Sequence, residues 1–458
     1  MTSHVCHRRR FLKTTTGAVA AALATPYVWT GSAARGDAPN ERLGVAAVGV
    51  GPRGTAVSRQ AGSLGNMVAV CDVDSRAAGR FAERYGGRPE ICGDYRKLLD
   101  RNDVDVLVVG TPDHWHVKIC IDAMKAGKDV YCEKPLTLTI EEGKLIEKVV
   151  DETKAVLQVG TQQRTEYNQW FLQAVAIARS GRLGDKLHAL VSLDPGANRD
   201  LHPDRQGPFA PADPPPTLDW DFWQGPAPER PFTPERAARS WRWWWEYSGG
   251  QATDWGIHHF DIAMWAIGAE QSGPEEIEGR GKLPPGVPEP FDLNAYLDGS
   301  LKLPPLYTAF TDYDCTLRFA GGHSVNLVGG RNEIIIGGER GRIRVNRGGL
   351  TGRPIEEINA SPAERDWLNE EVIRLYRGMR LTSHMGNFFD CVRDRKLPIS
   401  DVFTHNRAME LAHTANMAML LRRKLHWDPS RRAFKDDAEA NAHAIVSRAQ
   451  RKPWTIEA

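Results

Sequence analysis

Leu43-Gly44-Val45-Ala46-Ala47-Val48-Gly49-Val50-Gly51-Pro52-Arg53-Gly54, residues 43–54, sets an apolar run against three closely spaced glycines. An apolar run that stops on a glycine reads as a buried strand entering a turn. The Gly49-x-Gly51-x-x-Gly54 spacing would let the backbone turn sharply and approach a pyrophosphate lying on helix N–H groups. By itself this spacing describes an ordinary tight turn about as often as a nucleotide site. Its setting tips the balance: a strand precedes it, a helix follows, and the next strand ends on Asp72, 18 residues past Gly54. A carboxylate there accepts hydrogen bonds from the adenosine ribose hydroxyls and disfavours a 2′-phosphate, so the reading is NAD rather than NADP.

The same pattern continues outward. Strands are expected at Leu43–Val48, Met67–Cys71, Val104–Val109, Asp129–Cys132 and Ala155–Val159. Helices are expected at Arg76–Tyr85 and His114–Ala126, and one from Thr139, whose Thr139-x-x-Glu142 spacing fits a capping box. This alternation predicts a doubly wound α/β Rossmann domain over residues 41–160.

Past residue 160 the texture changes. Residues 195–234 are crowded with Pro and Gly, and eight of the 14 Trp residues fall between Trp220 and Trp265. Apolar segments at Tyr313–Phe319, Ser324–Val328, Ile334–Ile336 and Ile343–Val345, punctuated by Gly pairs, predict an antiparallel sheet. Helices are expected over roughly 382–395 and 404–424. Residues 161–458 therefore form an α+β domain, in keeping with 458 residues exceeding one core.

Residues 1–34 carry Arg8, Arg9, Arg10 and Lys13 and no acidic residue, ahead of a weakly apolar stretch from Gly17 to Val28. Arg-Arg-x-Phe-Leu-Lys resembles a twin-arginine export signal, with His7 where Ser or Thr is usual. The apolar run is too short to span a bilayer, so the expectation is a cleaved signal, a periplasmic location and no lasting membrane anchor. The formal net charge of +1 falls to −3 without this segment. No basic footprint for nucleic acid remains. The seven cysteines follow no metal-ligand spacing and read mostly as small buried hydrophobes.

Two further segments carry chemistry. In Cys132-Glu133-Lys134-Pro135 a lysine stands at a strand's carboxyl end, where doubly wound sheets bind ligands. In Gly249-Gly250-Gln251-Ala252-Thr253-Asp254-Trp255-Gly256-Ile257-His258-His259-Phe260-Asp261, a continuous helix would place Asp254 and His258 at i and i+4, within mutual reach. A histidine beside a carboxylate exchanges protons near neutral pH while the carboxylate fixes its ring.

Together with Thr111-Pro112-Asp113-His114-Trp115-His116, these motifs, in this order, resemble the Gfo/Idh/MocA oxidoreductase family. The resemblance covers about residues 41–455. It implies an open-faced, mainly antiparallel sheet beside the Rossmann domain, a homo-oligomer (dimer or tetramer), and catalytic roles for Lys134, Asp254 and His258. It also implies cofactor contacts at Gly49, Gly51, Pro52, Arg53, Gly54, Asp72, Thr111, Pro112, His114, His116, Glu133 and Lys134. Arg164, Trp245 and His259 are substrate-contact candidates; for Arg164 a domain-interface ion pair is the competing reading. Trp241, Trp243, Trp244 and Trp245 could stack on sugars, though core packing is the commoner fate of any one tryptophan. The expected reaction moves a hydride between NAD and the hydroxyl-bearing carbon of a carbohydrate or cyclitol. His258 takes the hydroxyl proton, alone or sharing that work with Lys134; Lys134 steadies the oxygen, and Asp254 orients His258 or binds a neighbouring hydroxyl. Two other classes compete. A glycosidase working by transient oxidation tends to carry a Tyr-Pro-Thr-His-like segment where this chain has Asp254-Trp255-Gly256-Ile257-His258. A non-catalytic sugar-binding protein should have lost Lys134 or His258.

Overall fold

The computed structural model describes residues 42–194 and 206–457, so the export signal expected at 1–34 lies outside the described residues. Six strands build the first sheet: β1 (Gly44–Val48), β2 (Asn66–Cys71), β3 (Glu90–Cys92), β4 (Val106–Val109), β5 (Asp129–Cys132) and β6 (Leu157–Val159). They run parallel in the order β3-β2-β1-β4-β5-β6. β1, β4 and β5 are buried along their whole length, because helices cover both faces. The expected strands appear within two residues of their predicted ends. β3, short and half exposed, carries too little apolar signal to be read from sequence. At Thr139 the capping box forms: its hydroxyl accepts from the Glu142 amide, and the Glu142 carboxylate accepts from the Thr139 amide.

Strand order reverses between β1 and β4, so the loops leaving β1, β4 and β5 open a crevice at the sheet's carboxyl edge. Gly49, Gly110-Thr111 and Glu133-Lys134 all stand there. The chain after residue 160 completes this layer. Helix His384–Asp394 lays Met385, Phe388 and Phe389 against Val45, Val57, Val106 and Val108. Trp454 stacks on Phe222 and meets Trp115 edge-on, covering the other side. Residues from 42 onward thus form one compact unit.

The second sheet has nine strands: β7 (His188–Leu193), β8 (Glu276–Lys282), β9 (Asp312–Arg318), β10 (Ser324–Gly329), β11 (Glu333–Gly338), β12 (Gly341–Asn346), β13 (Gly349–Thr351), β14 (Leu425–Asp428) and β15 (Ala433–Phe434). Their order is β13-β12-β11-β7-β10-β9-β8-β14-β15. Every pairing is antiparallel except β7 with β10, so the sheet is mixed and mainly antiparallel. Val191, Leu193, Leu317, Val325, Leu327, Ile334, Ile336, Ile343 and Val345 point inward to helices Trp170–Arg179, Gly256–Ala266 and Val402–Leu421. The alternating residues, among them Thr316, Asn326, Glu333 and Arg344, line the other, open face.

The tryptophan-rich segment is core. Trp243, Trp244 and Trp245 are among the largest fully buried side chains, and Trp223, Trp241, Trp243 and Trp244 cluster with Tyr247 and Tyr307. None of the three is free to stack on a ligand. Trp245 in particular, expected as a substrate contact, packs in the second-domain core and donates its indole N–H to the Thr308 carbonyl at 2.8 Å.

Candidate active site

The glycine turn has the shape a dinucleotide requires. Gly49 has φ +76°, and a Cβ there would crowd the Thr111 backbone at 2.7 Å. A Cβ on Gly54 would overlap the Gly49 carbonyl oxygen, so the third glycine serves the approach of helix Pro52–Leu64 to β1. Gly51 differs: no atom of the described residues lies within 4 Å of an added Cβ. No side chain caps the N-terminus of helix Pro52–Leu64, where Pro52 supplies a preset φ at the first turn. An open glycine beside an uncapped helix start fits a pyrophosphate. Thr111 Oγ1 and Glu133 Oε2, on the segments leaving β4 and β5, are buried and have no hydrogen-bond partner among the described residues. The residues present therefore fit NAD.

Asp72 does more than its sequence position suggests. Its Oδ2 accepts from the Val50 amide at 2.7 Å and its Oδ1 from the Asp74 amide at 2.9 Å, so the carboxylate also pins the glycine turn. Each oxygen keeps a second lone pair for a ribose hydroxyl. Burial raises its carboxyl above the usual range, and these two amides restrain the rise. Asp72→Ala is expected to weaken NAD binding roughly 10–100-fold, from the loss of charge-assisted bonds worth about 1.5–3 kcal/mol each. NADP should be weakened less. Titrating NADH and NADPH against wild type and variant checks this, and an unchanged NADH-to-NADPH ratio would count against the ribose contact.

At the end of β5 the Lys134 ammonium reaches into the second domain. Its Nζ donates to the Asp254 carboxylate at 2.6 Å and to the Asp254 carbonyl at 2.8 Å. Arg242 Nε donates to the same carboxylate oxygen at 3.1 Å. Two cations hold Asp254 ionised, well below the usual carboxylate range, against the opposing effect of burial. His258 lies nearby, buried and edge-on to Trp255 at 5.9 Å, with its Nδ1 unpartnered among the described residues. Burial comes first and the Lys134 charge second in driving its pKa well below the usual histidine value, so the ring is neutral.

Here the structure corrects one expectation: Asp254 does not orient His258. The helix is not continuous; Gln251–Asp254 ends at Trp255 and a second helix starts at Gly256. The His258 amide donates to the Trp255 carbonyl, three residues back, which frees the Asp254 carbonyl for Lys134. Both polar ends of Asp254 are thereby turned to the lysine.

Other expected contacts are spent inside the protein. Arg164 forms a bidentate pair with Asp261, at 2.7 and 2.6 Å, donates to the Ile399 carbonyl and lies over Trp265. It is an interior ion pair and does not reach a substrate. His116 is buried between two site loops, its Nδ1 2.6 Å from the Pro135 carbonyl and its Nε2 2.9 Å from the Thr111 carbonyl, and the neutral ring donates to one of the two. His114 sits between Trp223 and Tyr247, its Nε2 on the Trp223 carbonyl, and burial lowers its pKa to about 3. It joins the two domains instead of lining the crevice. His259 Nδ1 lies 3.5 Å from the Gln163 side-chain amide, while its Nε2 is buried with no hydrogen-bond partner among the described residues. Arg53 does stay at the crevice, bonded to Glu133 at 2.9 Å, and Gln162 shares that carboxylate oxygen. Thr111 and Pro112 are half-buried at its rim.

Three site residues carry no legible sequence signal. Arg242 is hidden in a tryptophan run, and the Ser248 hydroxyl in a glycine-rich one. Asp113 lay inside a quoted motif, but only the fold buries it beside Arg242 and Lys134. Its carboxylate accepts from Ser248 at 2.6 Å, and burial pushes it up to about 7. The six described cysteines are free thiols, Cys71 and Cys92 facing each other on β2 and β3.

Comparison with known proteins agrees with this geometry. Residues 43–161 match the family described as "Oxidoreductase family, NAD-binding Rossmann fold", and residues 172–282 and 374–456 match its "C-terminal alpha/beta domain". A curated relative, "Glycosyl hydrolase family 109 protein" of Shewanella sp. (strain W3-18-1), is 31% identical over 210 residues, 40% of this chain and 45% of the relative. The match thus spans less than half of that relative's length. Among solved structures, the WlbA dehydrogenase of Chromobacterium violaceum, in complex with NADH and UDP-GlcNAcA, aligns with a TM-score of 0.57 at 18% identity. The alignment covers 84% of this chain and 96% of that one. The myo-inositol 2-dehydrogenase of Lactobacillus plantarum aligns with a TM-score of 0.54 at 18% identity, over 84% and 99% of the two chains. At these identities the likeness is one of fold.

Proposed function

The chain belongs to the Gfo/Idh/MocA family of NAD-binding oxidoreductases, and on that premise we propose that its substrate is a carbohydrate or cyclitol, acted on at a hydroxyl-bearing carbon. The observation that carries this is the Lys134–Asp254–His258 grouping at the mouth of the nucleotide crevice. NAD bound there supplies the hydride acceptor or donor at its nicotinamide C4. Lys134, fixed by two bonds to Asp254, donates its remaining N–H to the substrate oxygen and stabilises the charge that develops on it. Neutral His258 takes the hydroxyl proton, a contribution of about 10²–10⁴-fold in rate. Arg242 shares Asp254 and keeps the carboxylate charged as the lysine engages substrate.

The twin-arginine-like segment supports export of the folded, cofactor-loaded protein to the periplasm. Free NAD is scarce there, and a tightly held cofactor would be recycled between substrates. The open face of the second sheet supports association into a dimer or tetramer. A second reading, a glycosidase acting by transient oxidation and elimination, is favoured by the name of the curated relative. Denaturing the purified protein identifies the nucleotide it carries. Sugars are then screened for a net change at the nicotinamide band. Release of an aglycone with no such change would establish the glycosidase.

The pH profile is a further check. A base must be neutral to act, and His258 is neutral at every pH above its lowered pKa. The acid limb of kcat/KM assigned to it should therefore fall well below pH 6.5. A step near pH 7 that persists in His258→Gln belongs to Asp113. An acid limb above pH 6.5 that vanishes in His258→Gln would refute the neutral-base assignment.

A further inference from the structure

Arg347 occupies the turn between β12 and β13, and the Asn346 side chain fixes that turn by accepting from the Gly348 amide at 2.8 Å. Its guanidinium is held over two rings, 4.3 Å from the Trp255 centroid and 4.8 Å from that of Tyr167. Among the described residues it makes no ion pair within 4.0 Å and no hydrogen bond, and its Nε is buried without a partner. A half-buried guanidinium is normally matched by a carboxylate or a set of carbonyls, because an unpaired buried donor is costly. Every other arginine at this site is matched: Arg53 by Glu133, Arg242 by Asp254, Arg164 by Asp261.

The surroundings point inward to the reaction centre. The Arg347 charge lowers the pKa of both His258 and His259. Trp255 links it to His258, with ring centroids 5.9 Å apart, and Trp255 is only partly buried. The other ring under Arg347 is presented by a strained backbone: Tyr167, Asn168 and Gln169 have φ of +61°, +50° and +61°, three consecutive non-glycine residues in the left-handed region. Strain of this kind persists where the surrounding structure demands it, and it clusters at ligand sites. The carboxylates within electrostatic reach are Glu133, whose Oε1 accepts from Arg53 and Gln162, and Glu166; neither stands within ion-pair distance of Arg347.

We propose that Arg347 is the anion-binding residue of the substrate site, so that the preferred substrate is a sugar bearing a carboxylate or phosphate group. The proposal rests on the oxidoreductase reading for what happens at Lys134 and His258, but the binding it describes does not need turnover. A pyranose passing the edge of Trp255 sets one hydroxyl at His258 and its anionic substituent in the guanidinium fork. That planar fork suits bidentate oxyanions, and its stacking on two rings fixes its direction.

The test is calorimetric titration of the NAD-loaded protein with matched ligands: D-glucuronate against D-glucose, D-galacturonate against D-galactose, and D-glucose 6-phosphate against D-glucose. The expected result is at least tenfold tighter binding of the anionic member. Preference for the uronates assigns a carboxylate, and preference for the 6-phosphate alone assigns a phosphate. Arg347→Gln should weaken the anionic ligands at least tenfold more than their neutral partners, and Arg347→Lys should retain part of the preference. Glu166→Gln should keep the preference, showing that Arg347 is not merely that carboxylate's partner. Equal binding within all three pairs overturns the proposal, as does Arg347→Gln weakening both members alike. Anion-selective binding with no change at the nicotinamide band in any sugar would sink the dehydrogenase reading and leave this one standing. Turnover of neutral sugars without charge preference would do the reverse.

Discussion

Lys134→Ala is expected to lower kcat by about 10²–10⁴-fold while leaving NAD bound. The lysine makes two bonds to Asp254 and none to the glycine turn, so the nucleotide cradle survives its loss. Its contribution is realised as charge develops on the substrate oxygen. The loss should therefore fall on kcat and kcat/KM together, with little change in KM. Removing one partner of a buried pair commonly destabilises by about 3–5 kcal/mol. Here Arg242 remains on the Asp254 carboxylate at 3.1 Å, so the destabilisation should fall below that range. Thermal melting with and without NADH separates the two effects. A variant that melts normally, binds NADH and turns over at the wild-type rate would remove Lys134 from the chemistry.

The second large effect is a contrast within the glycine turn. Gly54→Ala should destabilise the protein by about 1–3 kcal/mol or more and abolish NAD binding, because the new methyl meets the Gly49 carbonyl and the helix must move off β1. Gly51→Ala should fold and melt as wild type, since its φ of −59° suits any residue and no protein atom lies near the new methyl. It should nonetheless weaken NAD at least tenfold, because the space it fills is where the pyrophosphate approaches. The two differ by three residues and separate packing from binding. Wild-type NAD affinity in Gly51→Ala would mean that the pyrophosphate lies elsewhere.

How much of this was legible without coordinates follows from the range of the forces involved. The Rossmann sheet was legible because β1 and β4 are short apolar runs that stop at Gly49 and Gly110, and each such signal is local. The capping box at Thr139 was legible for the same reason. In the second sheet Tyr313–Phe319 and Ile343–Val345 announced themselves by alternation. β7 and β8 did not; β8, Glu276–Lys282, carries one buried side chain in seven, and its place comes from pairing with β9 and β14.

The nucleotide cradle, the acidic residue behind it and the lysine and histidine at its mouth could be picked out along the chain, because each sits in a motif whose spacing is enforced by backbone geometry. What those side chains touch was settled by packing. A spacing of four residues promised an Asp254–His258 pair, and a helix break at Trp255 gave the aspartate to Lys134, 120 positions away. Arg164 found Asp261 and Trp245 found the core, while Arg347 was left over two rings with its Nε unpartnered. Charges and hydrogen bonds are satisfied by whatever group the fold brings within about 3 Å. That proximity is a property of packing, to which spacing along the chain gives no access.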